Sequence, residues 1–190
     1  MTAYNKWLIE RLPKLDELED AHVAVGGVSR GRRFNTQQIN YSYAVMLTSQ
    51  FQGYCRDLHD ECVDHFVGVL SPVSLQTTVA HLLKQDRKLD RGNPNPSNIG
   101  SDFNRFGLTF WPEVSERDQR VGDWQTRLTQ LTNWRNAIAH QDFDPLKLHG
   151  IETLTLNQIK KWRNACNGLA RVFDSVMRSY LEKIRGSLSQ

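Results

Sequence analysis

The sequence predicts an all-α protein, an up-and-down bundle of four to five main helices with one long irregular loop. Three observations predict it. Apolar residues recur every three or four positions along most of the 190 residues. No segment alternates convincingly in the two-residue period of a strand. Glycine and proline number only 12 and 6, fewer than a loop-rich β fold uses.

The elements follow in order. Leu8, Leu12, Leu15 and Leu18 stand at helical spacing, predicting a helix over about 3–21 with a bend at Pro13. The stretch GGVSRGRRF, Gly26 to Phe34, breaks the pattern and predicts an exposed, mobile basic loop. From about residue 36 to 66, Ala44, Leu47, Phe51, Tyr54, Leu58 and Cys62 mark one face of a scaffold helix roughly 45 Å long. Another helix follows Pro72, carried by Leu75, Val79, Leu82 and Leu83. Residues 91–113, with three prolines and four aromatics, read as the irregular loop. A helix over about 116–140 follows, its apolar stripe Trp124, Leu128, Leu131, Trp134 and Ile138, stopped near Asp144-Pro145. The last helix opens on the capping pattern Thr155-x-x-Gln158 and carries Ile159, Trp162, Cys166, Leu169, Phe173, Val176 and Tyr180.

Composition narrows the function classes. With 39% hydrophobic and 24% charged residues and a net charge of +3, the chain fills a core and is expected to form a single domain over 1–190. No apolar run approaches the roughly 20 residues of a bilayer-spanning helix. Lys6, Glu10, Arg11 and Lys14 stand where a signal peptide needs its apolar stretch, so a cytoplasmic protein without a membrane partner is expected. Three cysteines, Cys55, Cys62 and Cys166, make a disulfide framework improbable. Cys55-x3-His59-x2-Cys62-x2-His65 suggests zinc, yet its first and last members lie about 15 Å apart along one helix, too far for ligands that must sit roughly 2.0–2.3 Å from one ion. No metal and no cofactor is therefore expected. Neither a phosphate-cradling glycine loop nor a G-x-S-x-G elbow is present.

The segment Asn133–His140 is the informative one. With Leu131 at zero on a helical wheel, Trp124, Trp134 and Ile138 fall within about 60° and form the buried face, whereas His140 points about 180° away. Thr129, Asn133 and Asn136 fall near 160°, 200° and 140°, so a polar strip carries one imidazole, with Arg135 at about 40° on the flank. Imidazole suits general acid or base work, and the guanidinium fork holds a phosphate. A lone outward imidazole has no opposing wall; a second copy of the helix across a two-fold axis supplies one. The plainer alternative is a solvated histidine favouring the helix C-terminus.

The string RNAIAH, Arg135 to His140, resembles the motif of the HEPN superfamily, in particular its single-domain RiboL-PSP-like members. The layout is similar too: the motif lies late in the penultimate long helix, after a long helix carrying FQGYCRDLHDE (Phe51–Glu61) and before a final amphipathic one. The resemblance implies a helical bundle that dimerises and a metal-independent endoribonuclease cleaving single-stranded RNA, acting as a toxin or in antiviral defence, with a cognate antitoxin as a further partner. It makes Arg135 and His140 the catalytic pair and Asn136 the supporting polar residue. Some HEPN toxins carry a tyrosine two residues after the histidine; here Asp142 stands there, which puts the chemistry of that tyrosine in doubt.

Two further groups are candidates. Arg30, Arg32 and Arg33 offer RNA-phosphate contacts, against a reading as a solvated loop. Phe103, Arg105, Phe106, Phe110 and Trp111 offer base stacking, against the favoured reading as a cluster capping the bundle. Arg163-Asn164 echoes the motif, but Gly168 stands where it needs a histidine. Competing functions are a non-catalytic HEPN module that holds a nucleotide or protein on the same face, and an interaction subunit in which RNAIAH is structural.

Overall fold

Trp7 and Pro13 shape the first element. In the computed structural model, which describes residues 1–26 and 34–188, α1 (Thr2–Lys6) runs through a π turn (Trp7–Arg11) into α2 (Leu12–Ala24). An α-helical proline clashes with the carbonyl four residues back and leaves it without a donor. Here the helix widens one residue before Pro13, so that the Leu12 N–H reaches the Trp7 carbonyl. The expected bend at Pro13 is thus resolved as a π turn. The N-terminal amides of Thr2 and Ala3 donate to the two carboxylate oxygens of Glu61 at 2.8 and 2.9 Å, tying α1 to the next helix.

That helix, α3 (Phe34–Val67), is the scaffold. All six of its predicted stripe residues are fully buried. It packs against α8 (Val121–His140) and α9 (Leu156–Leu188), which also pack on each other; α1 and α2 lie across α3. The Thr155 cap forms as expected, its Oγ1 accepting the Gln158 N–H at 3.2 Å. Arg163, in the decoy motif, clamps α9 to the first half of the chain, donating to Asp16 at 2.7 Å, Glu19 at 2.9 Å and the Tyr43 hydroxyl at 3.2 Å. Those partners hold its guanidinium charged well above the ordinary range.

Two expectations are corrected. In α4 (Val73–Lys84) only Leu83 is buried, while Leu75 and Leu82 face outward, because this helix lies at the edge of the bundle against α3. The segment 91–113 is largely helical, not a long irregular loop. After α5 (Lys88–Arg91) come α6 (Pro96–Phe103), a 3-10 turn (Asn104–Phe106) and α7 (Phe110–Arg117). Its prolines do not break these helices: Pro96 opens α6 behind Asn95, whose side chain accepts the Asn98 N–H at 2.8 Å.

Phe103, Phe106 and Phe110 are buried and face inward, Phe103 stacked on Phe110 at 4.5 Å and Phe110 edge-on to Phe173 of α9 at 4.9 Å. Arg105 donates to the carbonyls of Leu83, Gln85 and Asp86. Trp111 donates to the Pro96 carbonyl at 2.7 Å. The aromatics therefore cap the bundle, the reading the sequence favoured, and three of them are closed to RNA bases. The basic residues Arg30, Arg32 and Arg33 lie outside the described residues. No strand occurs among the described residues, and no helix of theirs is long and apolar enough to cross a membrane.

Candidate active site

The face of α8 turned into the bundle is built from Val121, Trp124, Leu128, Leu131, Trp134 and Ala137. The opposite face then exposes Asn136 and His140, as the wheel requires. His140 is the last helical residue. Gln141 adopts the left-handed conformation (φ 56°) and its side chain donates to the Ile138 carbonyl at 2.8 Å, turning the chain back. The Asp142 N–H returns to the Ala137 carbonyl at 3.0 Å.

The returning segment makes a wall. Buried Leu148 anchors it, and Asn133 Nδ2 donates to the Lys147 carbonyl at 3.1 Å. Lys147 Nζ pairs with Asp142 Oδ2 at 2.7 Å, which raises the lysine's pKa. Asn133, Asn136, Ala137, His140, Asp142 and Lys147 together line an open cavity of about 360 Å³. Trp134, Tyr41 and Phe143 form an aromatic cluster next to this turn, with Tyr41 stacked on Phe143 at 5.6 Å.

The predicted trio is brought together unequally. Asn136 and His140 line the cavity, but Arg135, half-buried on the flank, adjoins it only through Asn136, its Nη1 lying 3.4 Å from Asn136 Oδ1. Asn93 donates to the same oxygen at 2.6 Å from the segment before α6. Lys147 lines the cavity and Asn93 touches it through Asn136, and the sequence revealed neither. Each enters from a connection distant in sequence or bent back by a turn, and no periodic pattern marks either.

The cysteine–histidine string behaves as a packing element. Cys55 and Cys62 are fully buried, and burial pushes both thiols well above their ordinary pKa. His59, also fully buried, has its Nδ1 3.3 Å from Arg87 Nη1. Among the described residues, no group of three or more His, Cys, Asp or Glu side chains is arranged to hold a metal ion.

The bundle with its motif at the end of the penultimate long helix defines an all-α HEPN-like fold. The chain belongs to the RiboL-PSP-HEPN family, whose model matches residues 8–179. No curated protein and no solved structure matches it. HEPN domains typically bind RNA and often dimerise, and membership suggests a nuclease or a nucleotide-binding module.

Proposed function

We propose that the protein is a metal-independent endoribonuclease that cleaves single-stranded RNA as a homodimer, acting as a toxin or antiviral-defence effector held in check by a cognate antitoxin. The observation that carries the reading is the cavity at the end of α8, where exposed His140 and Asn136 stand on a polar face with the Arg135 guanidinium at its edge. The substrate 2′-oxygen attacks the adjacent phosphorus while the bond to the 5′-oxygen of the next nucleotide breaks, leaving a 2′,3′-cyclic phosphate and a free 5′-hydroxyl. An imidazole takes the 2′-hydroxyl proton and an imidazolium returns one to the leaving oxygen. Arg135 offsets the charge gathering on the phosphoryl oxygens.

One chain supplies one wall and one motif imidazole to this reaction. A second copy placed across a two-fold axis closes the cavity and brings a second His140 and Arg135. Apolar surface beside the cavity supports that arrangement: Leu146 is 89% exposed and Phe143 37% exposed. The test is incubation of the purified protein with single-stranded RNA in EDTA. Cyclic-phosphate products are expected, and they disappear in His140→Ala. Cleavage that the chelator abolishes and manganese restores contradicts the mechanism. RNA binding without any cleavage favours the non-catalytic module.

A further inference from the structure

A second polar pocket, of about 360 Å³, opens over α3 and takes no part in the site described above. Its floor is one face of α3, where Ser49, Gly53 and Arg56 succeed one another at helical spacing. Arg11 and Arg87 form its walls. The Arg11 guanidinium lies directly over Gly53: a Cβ there would fall 2.5 Å from Arg11 Nη1. Arg87 is buried and fixed, donating to Asp90 at 2.8 Å and Asp60 at 3.0 Å.

The charges of this pocket are almost fully paired. Asp57 meets Lys6 at 3.0 Å and Arg11 at 2.6 Å; Asp60 meets Arg87 and, at 3.5 Å, Lys84, which Asp64 shares at 3.6 Å. Arg56 is the exception. It is half-buried, and none of its guanidinium N–H groups meets an acceptor among the described residues. The lining carries Arg11, Arg56 and Arg87 against Asp57, Asp60 and Asp90, and among the described residues Arg56 holds its one unpaired charge.

A chain of hydrogen bonds joins this pocket to the cavity of α8. Gln52, one turn before Arg56 on α3, donates to the carbonyls of Leu89 at 2.6 Å and Gly92 at 2.9 Å. The next residue, Asn93, donates to Asn136. The segment Leu89–Asn93 is thus pinned to α3 at one end and to α8 at the other.

We propose that the Arg56 pocket is a second phosphate subsite for the RNA strand whose scissile bond lies at His140, an inference that rests on the ribonuclease reading. The guanidinium fork receives two oxygens of a backbone phosphate, and the unpartnered Ser49 hydroxyl faces the same space. The single unpaired guanidinium suits a singly charged internal phosphodiester, and the carboxylates around it disfavour a terminal phosphate dianion. The subsite reads the backbone without regard to base identity, so it sets how long a strand must be to bind well.

The test uses the His140→Ala protein, which leaves RNA intact, and fluorescence anisotropy with a labelled single-stranded RNA over a range of salt. Adding Arg56→Gln is expected to weaken binding and to reduce the slope of log K against log salt by about 0.7, the contribution of one phosphate on a single strand. Arg56→Lys keeps most of that slope. Inorganic phosphate at equal ionic strength competes no better in the Arg56 protein than in Arg56→Gln. With His140 intact, Arg56→Gln raises KM for a long RNA and leaves the rate on a dinucleotide unchanged. Because Arg56 has no partner to lose, its variants are expected to melt with the parent. Unchanged affinity and slope in Arg56→Gln overturn the subsite, as does a wild-type chain that binds no single-stranded RNA. Arg56-dependent binding by a protein that cleaves nothing leaves the subsite standing and removes only the ribonuclease reading.

Discussion

Asn93 Nδ2 lies 2.6 Å from Asn136 Oδ1, a hydrogen bond across 43 residues of sequence that fixes which way the motif asparagine presents its amide. With Arg135 Nη1 also 3.4 Å from that oxygen, the Asn136 NH₂ has no partner among the described residues and is placed to donate to a substrate. Asn93→Ala removes the tether and nothing else of consequence, because the pair is exposed. A net hydrogen bond is worth about 0.5–1.5 kcal/mol, so RNA cleavage is expected to fall about two- to tenfold. The melting temperature stays within a degree or two of wild type. Unchanged kinetics show that Asn136 needs no external positioning.

The roles proposed for His140 and Arg135 separate proton transfer from charge stabilisation. His140→Ala is expected to lose about 10²–10⁴-fold in cleavage rate. It leaves thermal stability nearly unchanged, because the side chain is exposed. Arg135→Lys keeps the charge and loses the planar fork; a large loss indicates bidentate phosphate contact and a small one simple attraction. Asn136→Ala is expected to cost less than either. Wild-type cleavage by His140→Ala at an unchanged melting temperature removes the assignment of the pair.

What sequence reasoning reached and what it missed have physical causes. The helices α3, α8 and α9 are long enough for their apolar period to repeat many times, and residues such as Leu47, Leu131 and Phe173 are buried where that period places them. The outward face of His140 follows from the same arithmetic. The eight-residue helices α6 and α7 hold barely two turns each, too few to show a period, and Pro96 opens a helix at the position where proline is tolerated. Their burial depends on α9: Phe110 becomes a core residue only when Phe173 stands beside it. Lys147 reaches the cavity and Asn93 reaches Asn136 through tertiary contacts alone, and a single sequence does not encode those in any local pattern.

His59 makes stability depend on mildly acidic pH. Burial is the chief cause that lowers its pKa from 6.5 to about 4, and the neighbouring Arg87 charge adds to it. The ring also packs against Phe103 and Phe106 at 5.5 and 5.0 Å. Above pH 6.5 the imidazole is neutral in both folded and unfolded chains, and the fold keeps its full stability. Between about 6.5 and 4 the unfolded chain binds a proton that the folded chain refuses, so stability falls as the pH falls, by roughly 3 kcal/mol across the window. His59→Gln is less stable at neutral pH but shows a flatter dependence over this range. Chemical denaturation at several pH values checks it, and parallel curves for the two proteins remove His59 as the source.

Gly168 explains in packing terms why α9 cannot hold a second copy of the motif. Arg163 and Asn164 reproduce its first two residues. At the histidine position, however, a Cβ would lie 2.5 Å from Cζ2 and 2.6 Å from Cη2 of Trp124. Trp124 is a buried member of the α8 stripe, so its indole occupies the space over the glycine and cannot withdraw without opening the contact between α8 and α9. Gly168→Ala gains helix propensity of about 1 kcal/mol, but overpacking of a core contact costs about 1–3 kcal/mol. The clash is expected to win, lowering the urea midpoint. Combining Gly168→Ala with Trp124→Leu removes the obstruction, so the alanine is then neutral or stabilising relative to Trp124→Leu alone. Gly168→Ala that stabilises the wild-type background would show that the two helices separate at no cost, and the close approach of Gly168 to Trp124 would then have no part in holding α8 in place.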